Sequence, residues 1–289
     1  MSASKEWTIP GAEGESILGN THLPSGDAIG VLIIAHGFKG YKDYGMFPRI
    51  AEAAAAAGFI AHRFNFSHSG MTNVIETFER PDLFERDTYN KQVHDLGAIV
   101  AAVNDGRLDG QGLAYVMFGH SRGGVTVLLT AGRYAHDAAF PQPAGIITAS
   151  APSSCRAMAP QQAEALLGEG FLESPSARTG QTLRIGKGFL TEQLEDPDAH
   201  DLPALIASIT CPVLIIHGEA DPTVPAECAQ QLAQAAGETA EVIRIAGGNH
   251  VFNTPNPMPP DAESSPQLDE LLAAVTEFAR QACIDTRRG

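Results

Sequence analysis

Five residues, Gly119-His120-Ser121-Arg122-Gly123, interrupt an apolar stretch and set one hydroxyl between glycines. They follow "LAYVMF" and lead into "GVTVLLTAG", so the pentapeptide joins a predicted buried strand to a predicted helix. A G-x-S-x-G turn in that setting forces the serine into a strained backbone conformation and leaves no room for side chains at the flanking positions. The hydroxyl is then exposed at a helix N-terminus, where developing negative charge is favoured. The chemistry such a turn serves is nucleophilic attack on an acyl carbon. The competing reading is a glycine-rich turn that carries a serine by chance.

A serine hydroxyl is a poor nucleophile without a base, so a histidine and an orienting acid should follow in the chain. The chain has ten histidines, and only position can choose among them. His250 lies in "AGGNHVF", after the last predicted strand. Asp221 lies in "IIHGEADPTVP", after the strand before it, where a proline turn can fix it. Glu219 is the rival acid. His36, His120 and His217 read as structural residues at strand ends, whereas His68 follows "RFNF" near the rim of the site and is a candidate substrate contact. Acyl transfer also needs hydrogen-bond donors for an oxyanion. The backbone N–H of Arg122 is one, and that of Phe38 in "AHGFKG" is the other, each worth about 3 kcal/mol in the transition state.

These positions need a scaffold that gathers strand ends. Strand-like runs at 30–37, 59–66, 113–120, 144–152, 211–221 and 240–248 alternate with helical segments at 46–58, 91–105, 122–135, 226–237 and 266–282. The strands are nearly continuously apolar, which predicts an α/β fold with a mostly parallel sheet covered by helices on both faces. Ligands in such sheets bind beyond the carboxyl ends of the strands, where every singled-out residue falls. The rhythm breaks at 153–207, too long for an ordinary connection and read as a small inserted cap between the core segments 1–152 and 208–289. A second irregular loop spans 67–90.

Bulk properties narrow the function. The chain has 289 residues, 44% of them apolar, and a net charge of −15, which argues against nucleic acid and anionic membranes as partners. Cys155, Cys211, Cys228 and Cys283 show neither disulfide-framework nor zinc spacing, so no metal or cofactor is expected. With no signal-peptide pattern and no apolar run long enough for a bilayer, the expected setting is cytoplasmic, as monomer or homodimer.

The chain resembles the α/β-hydrolase superfamily through "HGF" at 36–38, "GHSRGG" at 119–124, "HGEADPTVP" and "GGNHVF". Within it, the chain is most similar to small serine esterases of the feruloyl (cinnamoyl) type, and "GKGFL" at 186–190 is similar to part of a hairpin in their cap. The resemblance implies a triad of Ser121, Asp221 and His250, oxyanion donors at Phe38 and Arg122, and hydrolysis of esters of small or aromatic acids. "SHSGMT" at 67–72 departs from that family's usual small-residue loop. Peptide or acyl-peptide cleavage and carbon–carbon bond hydrolysis are alternatives on the same triad. A non-catalytic ligand-binding role is a third.

Overall fold

The computed structural model describes residues 4–156, 158–259 and 261–286. Eight strands form the central sheet: β1 (Ser4–Pro10), β2 (Ser16–His22), β3 (Gly30–Ala35), β4 (Phe59–Asn65), β5 (Tyr115–His120), β6 (Gly145–Ala149), β9 (Val213–Gly218) and β10 (Ala240–Ile245). Their order is β1-β2-β4-β3-β5-β6-β9-β10. From β4 to β10 all pairs are parallel, and β1 and β2 extend the sheet as an antiparallel hairpin.

The interior strands are sealed on both faces, which is why they read as unbroken apolar runs. In β3, Val31 and Ile33 point to one face, with Leu96, Ile99 and Val125, while Leu32 and Ile34 point to the other. The first face is covered by α3 (Tyr89–Asn104), α4 (Arg122–Arg133), α7 (Leu202–Ala207) and α8 (Glu227–Ala236). The second is covered by α1 (Met46–Ala56) and α9 (Pro266–Thr286), where Leu268, Leu271 and Val275 form the buried stripe anticipated from their spacing. The described parts of β1 and β2 escaped the sequence reading because both mix polar with apolar residues, β1 at the sheet edge and β2 between it and β4.

Between β6 and β9 the chain leaves the sheet. It forms α5 (Pro160–Glu169), a two-stranded antiparallel hairpin of β7 (Phe171–Pro175) and β8 (Thr182–Gly186), α6 (Gly188–Glu195) and α7. "GKGFL" is not itself the hairpin: it ends β8 and opens α6. The last helix of this segment, α7, packs on the core helices α4 and α8. The irregular loop at 67–90 contains α2 (Pro81–Glu85), and its Met71, Phe78 and Phe84 form a small apolar cluster with Leu183 of the hairpin.

The turn between β5 and α4 fits only because its glycines lack side chains. A Cβ on Gly119 would stand 2.2 Å from the carbonyl oxygen of Gly123, and one on Gly123 would stand 2.4 Å from that of His36. Both obstacles are backbone, which cannot swing aside. Gly123→Ala is therefore expected to lower stability by about 1–3 kcal/mol in denaturant unfolding. Gly168→Ala, on an exposed turn of α5 with open space around it, should be neutral or raise stability by up to about 1 kcal/mol. Equal effects of the two substitutions would contradict the packing argument.

Candidate active site

Ser121 occupies the junction of β5 and α4 with φ 54° and ψ −123°, a left-handed conformation unusual for a residue with a side chain. Its N–H donates to the carbonyl of Ala149 at the end of β6 (2.8 Å), and its own carbonyl accepts from Gly124 N (2.9 Å). The strained residue is thus tied to the neighbouring strand and to its own helix. Its Oγ lies 3.1 Å from Nε2 of His250, whose Nδ1 lies 2.8 Å from Oδ2 of Asp221. A carboxylate only accepts, so Nδ1 carries the ring proton and Nε2 is left to accept from the serine hydroxyl.

Two loops bring the acid and the base together. A Cβ on Gly218 would lie 2.3 Å from the carbonyl oxygen of Gly248, so the ends of β9 and β10 touch at backbone distance. Ala220 N donates to Gly248 O (2.9 Å) and Glu219 N to Ile245 O (3.0 Å), latching one loop to the other. The Asp221 side chain is fully buried, and its Oδ1 accepts from the N–H groups of Thr223 (2.8 Å) and Val224 (3.0 Å). Burial works to raise its pKa, but hydrogen bonds from His217, His250, Val224 and Thr223 outweigh it and hold the carboxyl well below the usual range. Glu219 is exposed. The choice between the two acids therefore falls to Asp221, the one that reaches the imidazole.

The two expected oxyanion donors flank the serine. Arg122 is the first residue of α4, so its N–H has no intrahelical acceptor. Gly37 lies against the nucleophile closely enough that a Cβ there would be 2.9 Å from Ser121 Cβ, which sets Phe38 beside it. The Arg122 side chain places its guanidinium 5.9 Å from the centre of the Phe38 ring. It is 9% exposed, lies 3.3 Å from Asp87, and stacks over Phe189 and Tyr89 at 4.5 and 4.9 Å. Burial pushes the Asp87 carboxyl up to about 6 despite the attraction of Arg122.

His68 does not reach the site. Its ring is fully enclosed, 2.9 Å from Ser67 Oγ and 3.1 Å from Glu13, and it lines neither cavity next to Ser121. The loop after β4 turns it toward the N-terminal segment, a direction no local pattern reveals. Three histidines read as structural prove to hold the site's backbone. The His36 ring lies 2.8 Å from Gly37 O through Nδ1, which donates, and accepts from Phe66 N through Nε2 (3.3 Å), fixing the Phe38 loop. His120 donates from Nε2 to the carbonyl of His250 (2.7 Å). His217 donates from Nε2 to Val224 O (3.0 Å) beneath Asp221. Each stands at a strand end within two residues of a site residue or its loop glycine, and that adjacency was the available signal.

Two cavities open beside Ser121, and both touch Phe38 and His250. One, of about 430 Å³, is walled by Tyr89, Met158, Leu172, Ile185 and Phe189. The other, of about 680 Å³, is lined by Lys39, Tyr44, Arg178 and Thr254 among others. The β7–β8 hairpin contributes to both, Leu172 and Ile185 to the first and its turn to the second.

The buried histidines carry a pH signature. Burial lowers the pKa of His36 and His62 to about 4 and that of His120 to about 3, from a usual value near 6.5. They are neutral in the folded protein and charge only on unfolding. The unfolded chain then binds more protons below pH 6.5, so stability falls on acidification from about pH 6.5 toward pH 4. The thermal midpoint should drop across that window. A flat midpoint between pH 7 and pH 4.5 would contradict the neutral-ring assignments.

Comparison with known proteins places this architecture. Residues 32–262 match the alpha/beta hydrolase family. A monoacylglycerol lipase of Mycolicibacterium smegmatis is 24% identical over 288 residues, covering 88% of this chain and 93% of its own. Est1E of Butyrivibrio proteoclasticus, in a structure with ferulic acid bound, superposes with a TM-score of 0.69 at 21% identity, covering 94% of this chain and 97% of that one. The esterase domain of a Rhodothermus marinus protein does so at 0.64 and 20%, covering 96% and 98%. With the match spanning most of the sheet, from β3 past the loop that bears His250, the chain belongs to the alpha/beta hydrolase family.

Proposed function

We propose that the protein is a serine hydrolase of carboxylic esters, acting through an acyl-enzyme on Ser121. The observation that carries this reading is the single imidazole of His250 bonded at one nitrogen to the buried Asp221 and at the other to the strained Ser121. His250 takes the hydroxyl proton as Oγ attacks the ester carbonyl. The N–H groups of Phe38 and Arg122 hold the oxyanion, and Asp221 stabilises the imidazolium. The tetrahedral intermediate collapses, and His250 returns the proton to the departing alkoxide. Water then attacks the acyl-enzyme with His250 again as base, releasing the acid and restoring the serine.

The substrate is a small molecule, and the segment around the β7–β8 hairpin acts as a cap that shapes its pocket. The aromatic chamber of Tyr89 and Phe189 suits a small or aromatic acyl group, in keeping with the ferulic acid bound to Est1E and the esterase and lipase activities named for the relatives. No step in this mechanism calls for a metal or cofactor. The described residues contain no helix long and apolar enough to cross a membrane.

Ser121→Ala should lower ester turnover by about four to six orders of magnitude with the fold intact, and Asp221→Asn by about ten-thousand-fold. A fluorophosphonate should label wild type at Ser121 and leave Ser121→Ala unlabelled. Rates on p-nitrophenyl acetate through decanoate beside methyl ferulate rank the acyl groups. Full turnover in Ser121→Ala would sink the assignment.

A further inference from the structure

The larger chamber beside Ser121 runs against the composition of the protein. The chain holds 34 acidic and 19 basic residues, yet this wall carries Lys39 and Arg178 and, among the described residues that line it, no aspartate or glutamate. Neither cation has a carboxylate within 4 Å among the described residues. Lys39 Nζ donates to the carbonyl of Pro175 (2.7 Å) and lies 5.4 Å from the centre of the Phe38 ring, and its other N–H bonds have no acceptor among the described residues. Arg178 donates to the carbonyl of Ile75 and to Met71 Sδ (3.4 Å), and stacks over Tyr41 and Phe78 at 4.7 and 5.2 Å. The stacking fixes the guanidinium in place but neutralises none of its charge. Arg122 in the smaller chamber is different, since Asp87 lies beside it.

The placement of Lys39 is also unusual. It directly follows Phe38 and holds φ 56°, a left-handed conformation that the loop imposes on a residue with a long side chain. Partial burial lowers its pKa. Thr254 in the same wall is buried, and its hydroxyl has no partner among the described residues.

Resting on the ester-hydrolase reading, we propose that this chamber seats a carboxylate on the substrate, held between Lys39 and Arg178, so that the enzyme prefers esters whose acyl or alcohol part bears a negative charge. The chamber meets Ser121 and His250 directly, so a bound carboxylate and the scissile carbonyl belong to one molecule. Unpaired cations on the cap turn and on the oxyanion loop would also draw the two together when the anion binds.

The test is kcat/KM for two matched pairs: monomethyl glutarate against methyl pentanoate for the acyl side, and 4-carboxyphenyl acetate against 4-methylphenyl acetate for the alcohol side. The anionic member of at least one pair should be favoured by about ten- to hundredfold, the size of one or two charge-assisted hydrogen bonds. Lys39→Met and Arg178→Met should each reduce that ratio, Lys39→Arg should retain it, and high salt should compress it in wild type. If a variant fails to fold, the other variant and the salt series decide. Equal or lower rates for both anionic members, with the neutral esters still hydrolysed, overturn this inference and leave the ester-hydrolase reading standing. A preference that survives both Met variants overturns the assignment to these cations. No turnover of any ester together with no fluorophosphonate labelling overturns both readings.

Discussion

The left-handed backbone of Ser121 is stable only because three chain segments close on it at distances that exclude a Cβ. Gly119 approaches Gly123 across the turn, Gly123 approaches the carbonyl of His36, and Gly37 approaches Ser121 itself. A residue in that region of φ and ψ costs about 1–3 kcal/mol unless its surroundings over-determine it. Here they do, since β3, β5 and β6 all end at this point and the serine is bonded to Ala149 of β6. The rest of the site takes its position from this junction. Helix α4 starts there, the Phe38 loop folds over it, and the base must arrive from the far side.

Electrostatic order in the site comes from which groups are kept neutral. Burial keeps His36 and His120 uncharged, and each then uses a ring N–H to fix a backbone carbonyl, of Gly37 and His250 respectively. Asp221 is the exception, a buried charge made tolerable by two backbone N–H groups and two imidazoles. A buried carboxylate satisfied in this way stays ionised and is ready to stabilise an imidazolium. The neutral rings fix backbone geometry, and Asp221 holds its charge beside the imidazole of His250.

The segment between β6 and β9 supplies walls to both cavities beside Ser121. Its hairpin reaches over the serine and contributes to two chambers of different character, one aromatic with a paired arginine, the other larger with two unpaired cations. The apolar cluster of Tyr41, Met71, Phe78, Phe84 and Leu183 anchors that hairpin on the loop following β4. The loop after β4 also reaches the residues beside the serine, since Phe84 packs 5.3 Å from the Phe38 ring and Asp87 lies 3.3 Å from Arg122.

Local pattern determined much of this protein. Fully buried strands must be apolar throughout, so β3, β5, β6 and β9 announced a parallel sheet, and the glycines around Ser121 announced a turn that only close backbone approach explains. Chain order placed Asp221 and His250 after the last two strands, where parallel topology brings strand ends together. Tertiary structure decided what depends on direction and on distant partners. Asp221 rather than Glu219 meets the imidazole because the latch between the β9 and β10 loops turns one carboxyl inward and leaves the other in solvent. His68 faces Glu13 and not the cavities beside Ser121 because of how its loop meets the N-terminal segment. Lys39 and Arg178, 139 positions apart, share one wall only because the hairpin folds back over β3's loop. Such contacts join segments remote in sequence, and no local periodicity encodes them.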